Sequence, residues 1–408
     1  MRFAILGAGG AGVCAALELA VRGYPVDLYD ENALPVCRAS WVNEGKIHLG
    51  LLYAKDDTQR TTQTMIAGAL EFLATLKRWI DIEPGRDPCV LSSTFHYAVH
   101  RNTMVPVDDL KRHYAQCARV FDDMHQSIGH RYLGLDSSIV VEELSRRELE
   151  SLVNADHFLT AFRTNERSID PRPLAAALRA AVAGEPRIHF VGGARVRNVR
   201  KAQGERLSVS FERDGEVRHE LYDQVANTLW HGRLEIDASL GITYDRPWLH
   251  RYKLGNRVMV PLPADSPPSI TCVLGPFGDI VNFGRQGLFL SWYPIGMCAT
   301  SQALRPPEWE LDLSAEARHD RFRRSHAHWL ELCPSLASVA FSPESVDPTG
   351  GVIFSWGETD IDDERSELHE RYEIGLYSVG GYHTVNTGKF TMAPLFGLKT
   401  AERMLGLA

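Results

Sequence analysis

The sequence predicts an α/β fold that opens on a β-α-β unit, with further helix-and-strand segments and a run of short strands that reads as antiparallel sheet. Three observations carry this reading. A glycine loop follows the first apolar run, a helix-and-strand module returns after residue 165, and the chain closes on a strand, a loop and a helix. Between these segments lie short runs with the two-residue alternation of strands.

Phe3, Ala4, Ile5 and Leu6 read as a buried strand, and Gly7-Ala8-Gly9-Gly10-Ala11-Gly12 follows at once as G-x-G-x-x-G. Ala16, Leu17 and Leu19 give the next helix its apolar face, and Gly23 ends it. Val26, Leu28 and Tyr29 form a second strand that closes on Asp30. This is a complete β-α-β unit of the Rossmann type. Gly7 permits the tight turn, Gly9 lets backbone approach a pyrophosphate, Gly12 allows close helix–strand packing, and the helix N-terminus offers free N–H groups to phosphate. Asp30 is placed to accept from a ribose diol. With Glu31 beside it, it would repel a 2′-phosphate, which disfavours NADP. The motif itself fits NAD and FAD equally.

Composition bounds the rest. The 408 residues are 44% hydrophobic and 24% charged with a formal charge of -8, enough for two or three cores and without the basic block that a nucleic-acid or polybasic membrane partner would need. The seven cysteines are scattered, with no C-x-x-C pair, which argues against a disulfide framework or zinc site and fits a reducing, cytoplasmic setting. No apolar run approaches the roughly 20 residues of a membrane span. The N-terminus lacks a basic region before its apolar run, so it reads as fold and not as a secretory signal. A small-molecule substrate is the expected partner.

The stretches 56–164 and 245–365 carry helix and strand patterns of their own. The first stretch shows an amphipathic helix over 65–80, a strand over 93–99 and a helix over 107–124. In the second, strands over 250–261, 269–275, 279–283 and 288–293 read as antiparallel sheet, with a helix over 315–332. Arg251 and Lys253, two apart on a strand, share a face and would clamp an anion or line a solvated surface. Tyr97 with Arg101 is a similar candidate, and Tyr293 ends a strand. His319, His326 and His328 lie on an arginine-rich helix and read as a solvated face, so no metal site is expected. The acidic run Asp360, Asp362, Asp363 and Glu364 lacks EF-hand spacing and reads as a surface turn.

Three later segments resemble the D-amino-acid-oxidase superfamily of flavoenzymes. The first, Ser40 to Tyr53, contains Gly45-Lys46-Ile47-His48-Leu49-Gly50 and resembles the G-x-I-H-x-G-x-x-Y stretch of L-2-hydroxyglutarate and glycerol-3-phosphate dehydrogenases. The second begins with Asp170-Pro171, an N-cap and a helix-opening proline, and runs through strands at 188–191 and 194–199 to 224–229 and Trp230-His231-Gly232. It departs from the superfamily's usual small residue and glycine at Trp230 and His231. The third joins Gly380-Gly381 and Gly388-Lys389-Phe390 to a final helix and resembles the closing flavin motif of monomeric sarcosine oxidase, although Tyr382 to Asn386 lengthen its loop.

The resemblance implies a glutathione-reductase-like FAD-binding fold whose Rossmann sheet takes strands from 1–55, 165–244 and 366–408 as the cofactor-binding unit, an inserted α+β substrate-binding unit with an antiparallel sheet from 56–164 and 245–365, and tight, non-covalent FAD. It places Ser40, Gly45, Lys46, Ile47, Val196, Gly232, Gly381, Gly388, Lys389 and Phe390 with Gly7, Gly9, Gly12, Asp30 and Glu31 around the cofactor. His48, Lys389 and Tyr293 become candidate catalytic residues; Tyr53, Tyr97, Arg251 and Lys253 become candidate substrate contacts. The implied reaction is oxidation of a C–N bond in an amine or amino-acid-like substrate, with oxygen or a carrier as electron acceptor. Oxidation of a 2-hydroxy acid is the alternative, with His48 as its base. An aromatic hydroxylase would carry a D-G motif and a G-D pair where this chain has Trp230-His231-Gly232 and Gly380-Gly381. A non-catalytic nucleotide-binding module is the remaining class.

Overall fold

The computed structural model describes residues 1–309 and 313–407. Strand β1 (Phe3–Leu6), buried throughout, lies between β2 (Val26–Tyr29) and β12 (Gln224–Asn227), with β8 (Ile188–Val191) beyond β2 and β20 (Tyr382–Asn386) beyond β12. These five strands are parallel, and β19 (Gly375–Val379) closes the edge antiparallel to β20. The sheet therefore gathers three remote segments, as the resemblance implies. Helix α1 (Gly10–Val21) is buried from Gly10 to Ala20, which explains its weak amphipathic pattern. The last helix, α8 (Ala393–Met404), packs directly on it: a side chain at Gly397 would run into Cys14 and the Ala11 carbonyl.

The second large sheet runs β17 (Met297–Ser301), β13 (Trp248–Val258), β16 (Leu288–Trp292), β15 (Gly278–Asn282), β14 (Ser269–Val273), β4 (Phe95–His100), β6 (Phe158–Thr164) and β5 (Val141–Glu143), and β18 (Val346–Trp356) also pairs with β13. The expected antiparallel sheet needs one correction, because β4 and β14 pair in parallel. They come from separate segments, so no hairpin forces them to oppose. Helix α7 (Ala315–Leu332) covers β16, its Trp329 donating to the Ser291 carbonyl at 2.8 Å. The expected solvated histidine face needs a correction: His319 is half-buried with Nδ1 on the Ala315 carbonyl at 2.9 Å, while His326 packs on Phe341 and His328 on Trp292.

Smaller elements complete the frame. Strands β9 (Arg195–Lys201), β10 (Leu207–Arg213) and β11 (Glu216–Tyr222) form a meander, and β3 (Lys46–Ile47) pairs with β7 (Arg167–Ser168). Helices α2 (Arg60–Leu76), α3 (Val107–Ile128), α4 (Arg146–Leu152), α5 (Pro171–Gly184) and α6 (Arg233–Ser239) complete the helical part. Asp170 caps α5 by accepting from the Arg172 N–H, as its sequence context predicts, and its other oxygen pairs with buried Arg257 of β13. One carboxylate thus ties the cofactor-side helix to the second sheet. Among the described residues no helix is long and apolar enough to cross a membrane.

Candidate active site

The parallel strands β1, β2, β8, β12 and β20 all end on the same side, and the loop after each one reaches a single cavity of about 380 Å³. This is the edge at which open α/β sheets bind ligands. Gly7 turns there at φ +99°, where a Cβ would lie 2.8 Å from the Thr228 carbonyl oxygen. Gly12 does not line the cavity. A side chain there would strike the Gly7 carbonyl, so its role is the close packing expected of it. Gly9 differs from both: among the described residues, a Cβ there would meet only Ser40 Oγ, at 3.8 Å, on the open side of the loop.

The N-terminus of α1 has neither a side-chain cap nor an acidic residue in its first turn. Ser40 Oγ takes the Gly10 N–H at 3.0 Å. A cavity-facing helix start with no acidic residue, over a glycine with free space above it, suits a pyrophosphate, so the residues present fit a dinucleotide. Asp30 accepts from the Ala8 N–H at 2.8 Å and from Asn32, and burial raises its pKa. Glu31 is instead bonded to Arg305 at 2.7 Å. Val196, Gly232 and His231 complete this end, and burial lowers the His231 pKa to about 4. Trp230 takes a left-handed φ of +56° and donates Nε1 to the Val352 carbonyl at 2.7 Å, pinning the loop to β18. The departure at Trp230-His231 is thus a link between the sheets.

At the other end stand Lys46, His48, Tyr53, Arg251, Lys253, Tyr293, Gly388, Lys389 and Phe390, brought together from remote regions of the sequence. Lys46 is buried, donates to Thr271 and lies 2.9 Å from Asp279 Oδ1. Burial would raise the Asp279 pKa, but Lys46 and Lys253 hold it below the usual carboxylate range. Arg251 donates to Tyr293 Oη at 2.9 Å and to Asp360 at 3.0 Å, and Tyr293 donates to Asp360 at 2.5 Å. Tyr293 opens a single helical turn after β16 and does not end the strand. Burial raises its pKa. Lys253 reaches Ser291 Oγ at 3.3 Å.

His48 is almost wholly buried, and its Nδ1 has no hydrogen-bond partner among the described residues. Burial, then Lys389 and Lys46, push its pKa well below the ordinary value, so the ring is neutral. Its backbone N–H donates to Thr391 Oγ1 at 3.1 Å, which fixes its loop to the closing segment. Lys389 has its pKa lowered to about 8 by burial and by Arg371.

Besides Gly12, four candidates lie elsewhere. Tyr97 is fully buried off the cavity, with its hydroxyl donated to Glu166, which in turn accepts the Leu49 N–H at 2.6 Å. It supports the His48 loop and does not face a substrate. Gly381 sits in the β19–β20 turn at the opposite end of the sheet, where a Cβ would lie 2.5 Å from the Asp223 carbonyl oxygen. Ile47 is core, and Gly45 (φ +68°) is pressed against the Ile169 carbonyl. Conversely, sequence reasoning missed Glu44, Arg305, Asp360 and Arg371. Asp360 belongs to a run that reads as a surface turn, yet it anchors Arg251. Arg371 faces the cavity from an otherwise polar segment, its backbone N–H donated to Thr61 Oγ1 at 2.9 Å.

A profile of the FAD dependent oxidoreductase family (DAO) matches residues 2–403. The chain belongs to that family. The DAO-family oxidoreductases are FAD-dependent enzymes, and FAD is a dinucleotide of the kind that the α1 N-terminus and the Gly9 loop fit. Solved structures agree at the level of fold. Glycine oxidase from Geobacillus kaustophilus is 16% identical with a TM-score of 0.67, covering 100% of this chain and 95% of that one. Iminodiacetate oxidase from Chelativorans sp. BNC1 is 17% identical with a TM-score of 0.67, covering 100% and 96%. L-alpha-glycerophosphate oxidase from Mycoplasma pneumoniae, solved with FAD bound, is 13% identical with a TM-score of 0.63, covering 99% and 94%. A comparison with curated protein sequences finds no match.

Proposed function

We propose that this DAO-family enzyme oxidises the C–N bond of an amine or amino-acid-like substrate that carries a carboxylate. The observation that carries the reading is the state of His48. An alcohol must lose its hydroxyl proton as hydride departs, and that needs a competent base. His48 is buried beside two ammonium groups that depress its pKa, so it is poorly suited to take the proton. A neutral amine has no such requirement, and the same cations favour its uncharged form. Two of the similar structures, glycine oxidase and iminodiacetate oxidase, are named for acids that contain an amine.

In this proposal Lys389 holds the substrate carboxylate, since its ammonium has no hydrogen-bonded acceptor among the described residues. Arg251, fixed by Tyr293 and Asp360, forms the wall opposite, with Tyr53 and Lys253 flanking it. His48 orients the amine. When bound, FAD supplies the hydride acceptor, at its N5. The same proposal assigns 1–55, 165–244 and 366–408 to the cofactor unit, and 56–164 and 245–365 to the substrate unit.

The test is anaerobic bleaching of the holoenzyme against matched amino acids and 2-hydroxy acids. Amines should reduce the flavin. His48→Gln should slow that step by less than about tenfold, whereas a base role would cost about 10²-fold or more. Bleaching by hydroxy acids alone, abolished in His48→Gln, would overturn the reading.

A further inference from the structure

The substrate end of the cavity carries more positive charge than one carboxylate needs. Among the described residues five cations line it: Lys46, Arg251, Lys253, Arg371 and Lys389. Three carboxylates answer them. Asp279 is taken by Lys46 at 2.9 Å, Asp360 by Arg251 at 3.0 Å, and Glu44 is the acid whose field Lys389 feels. Arg371 and Lys389 have no hydrogen-bonded anion among the described residues, and each is destabilised by the cations around it. Burial and Arg251 lower the Arg371 pKa to about 10, and burial and Arg371 lower that of Lys389 to about 8.

A protein does not hold two such cations side by side without cost, and the cost is removed when anions enter. The two arrive from separate elements. Lys389 stands in the loop after β20, while Arg371 precedes β19 and is fixed through its backbone N–H to Thr61 at the start of α2. They are therefore two anchors and not one flexible clamp. A simple amino acid enters as a zwitterion of no net charge and leaves the excess largely in place. An amine with two carboxylates enters with a net negative charge, and gains a second on losing the ammonium proton. The guanidinium of Arg371 is suited to a bidentate carboxylate contact, and the ammonium of Lys389 to a point contact.

We propose that the substrate is an amine bearing two carboxylate groups, one held by Lys389 and the other by Arg371. This rests on the reading that this end of the cavity receives the substrate. The test uses non-oxidisable acids, so it does not depend on turnover. The flavin absorbance of the holoenzyme is titrated with the dicarboxylates from malonate to adipate and with the monocarboxylates of equal chain length. At least one diacid should bind about tenfold or more tightly than its monoacid partner. In Arg371→Met that preference should vanish while monoacid affinity and flavin content persist, and Arg371→Lys should restore part of it. No diacid preference in the wild type, or equal weakening of diacid and monoacid in Arg371→Met, overturns the proposal. Failure of the C–N reading is separate: hydroxy acids and not amines would bleach the flavin, with the diacid preference intact.

Discussion

At the residue scale, Lys389 connects structure to a measurable pH dependence. Its pKa is lowered to about 8 because burial and Arg371 oppose its charge. The protonated form is the one that holds an anion, so carboxylate binding to the free holoenzyme should be constant below about pH 8 and weaken as pH rises beyond it. Stability runs the other way. A lysine whose folded pKa lies below its unfolded value of roughly 10.4 binds its proton less readily when folded, so its penalty is complete below about pH 8 and fades towards pH 10 and above. Lys389→Met should therefore abolish the inflection in acetate binding near pH 8, and should raise Tm more at pH 7 than at pH 10. Spectral titration and thermal melts across that range check both signs. An inflection that survives the substitution would show that another group titrates.

At the element scale, the dinucleotide loop separates two kinds of glycine that look alike in sequence. Gly12 faces the Gly7 carbonyl and Thr228 Oγ1, so any side chain there forces α1 away from β1. Among the described residues Gly9 faces only Ser40 Oγ, at 3.8 Å, so a valine fits the protein but fills the space over the helix start. Gly9→Val should give folded protein with a normal far-UV spectrum and little flavin; Gly12→Val should give insoluble or unfolded protein. Flavin retained at wild-type level in Gly9→Val would remove the pyrophosphate from this loop. The same scale shows what the sequence could disclose. The β1-α1-β2 unit, the Asp170 cap and α7 over 315–332 are readable because caps, glycines and periodicity are local signals. Strand β18 escapes such a reading because Pro348, Gly350 and Gly351 resemble a turn. In the structure Gly350 is strand, and it is glycine because the Tyr252 ring of the paired β13 occupies the place of its side chain. Asp360 and Arg371 escape it for a related reason: their partners, Arg251 and Thr61, lie far away in sequence.

At the scale of the whole molecule, the cavity is walled by both sheets. Gly7, Asp30 and Val196 come from the parallel-strand side, while Arg251, Phe289 and Val352 come from the opposing sheet. Direct ties across the gap include Asp170 with Arg257, Trp230 with the Val352 carbonyl, and Arg305 with Glu31. FAD held there would touch both walls, so it should stabilise the assembly and not merely occupy it. Binding to the folded state alone adds RT ln(1 + [L]/Kd), about 2.7 kcal/mol at a hundredfold excess over Kd. The attachment should be non-covalent, because the cavity-lining thiols of Cys37 and Cys272 have their pKa values raised by burial and are protonated, hence poor nucleophiles. Acid precipitation should accordingly release the flavin into the supernatant. The apoprotein should melt several degrees below the holoenzyme, its Tm should climb with the logarithm of added FAD, and Arg305→Ala should speed flavin loss on dilution. Apoprotein that melts at the holoenzyme temperature, or flavin that pellets with the acid-treated chain, would contradict a reversible bridge between the two sheets.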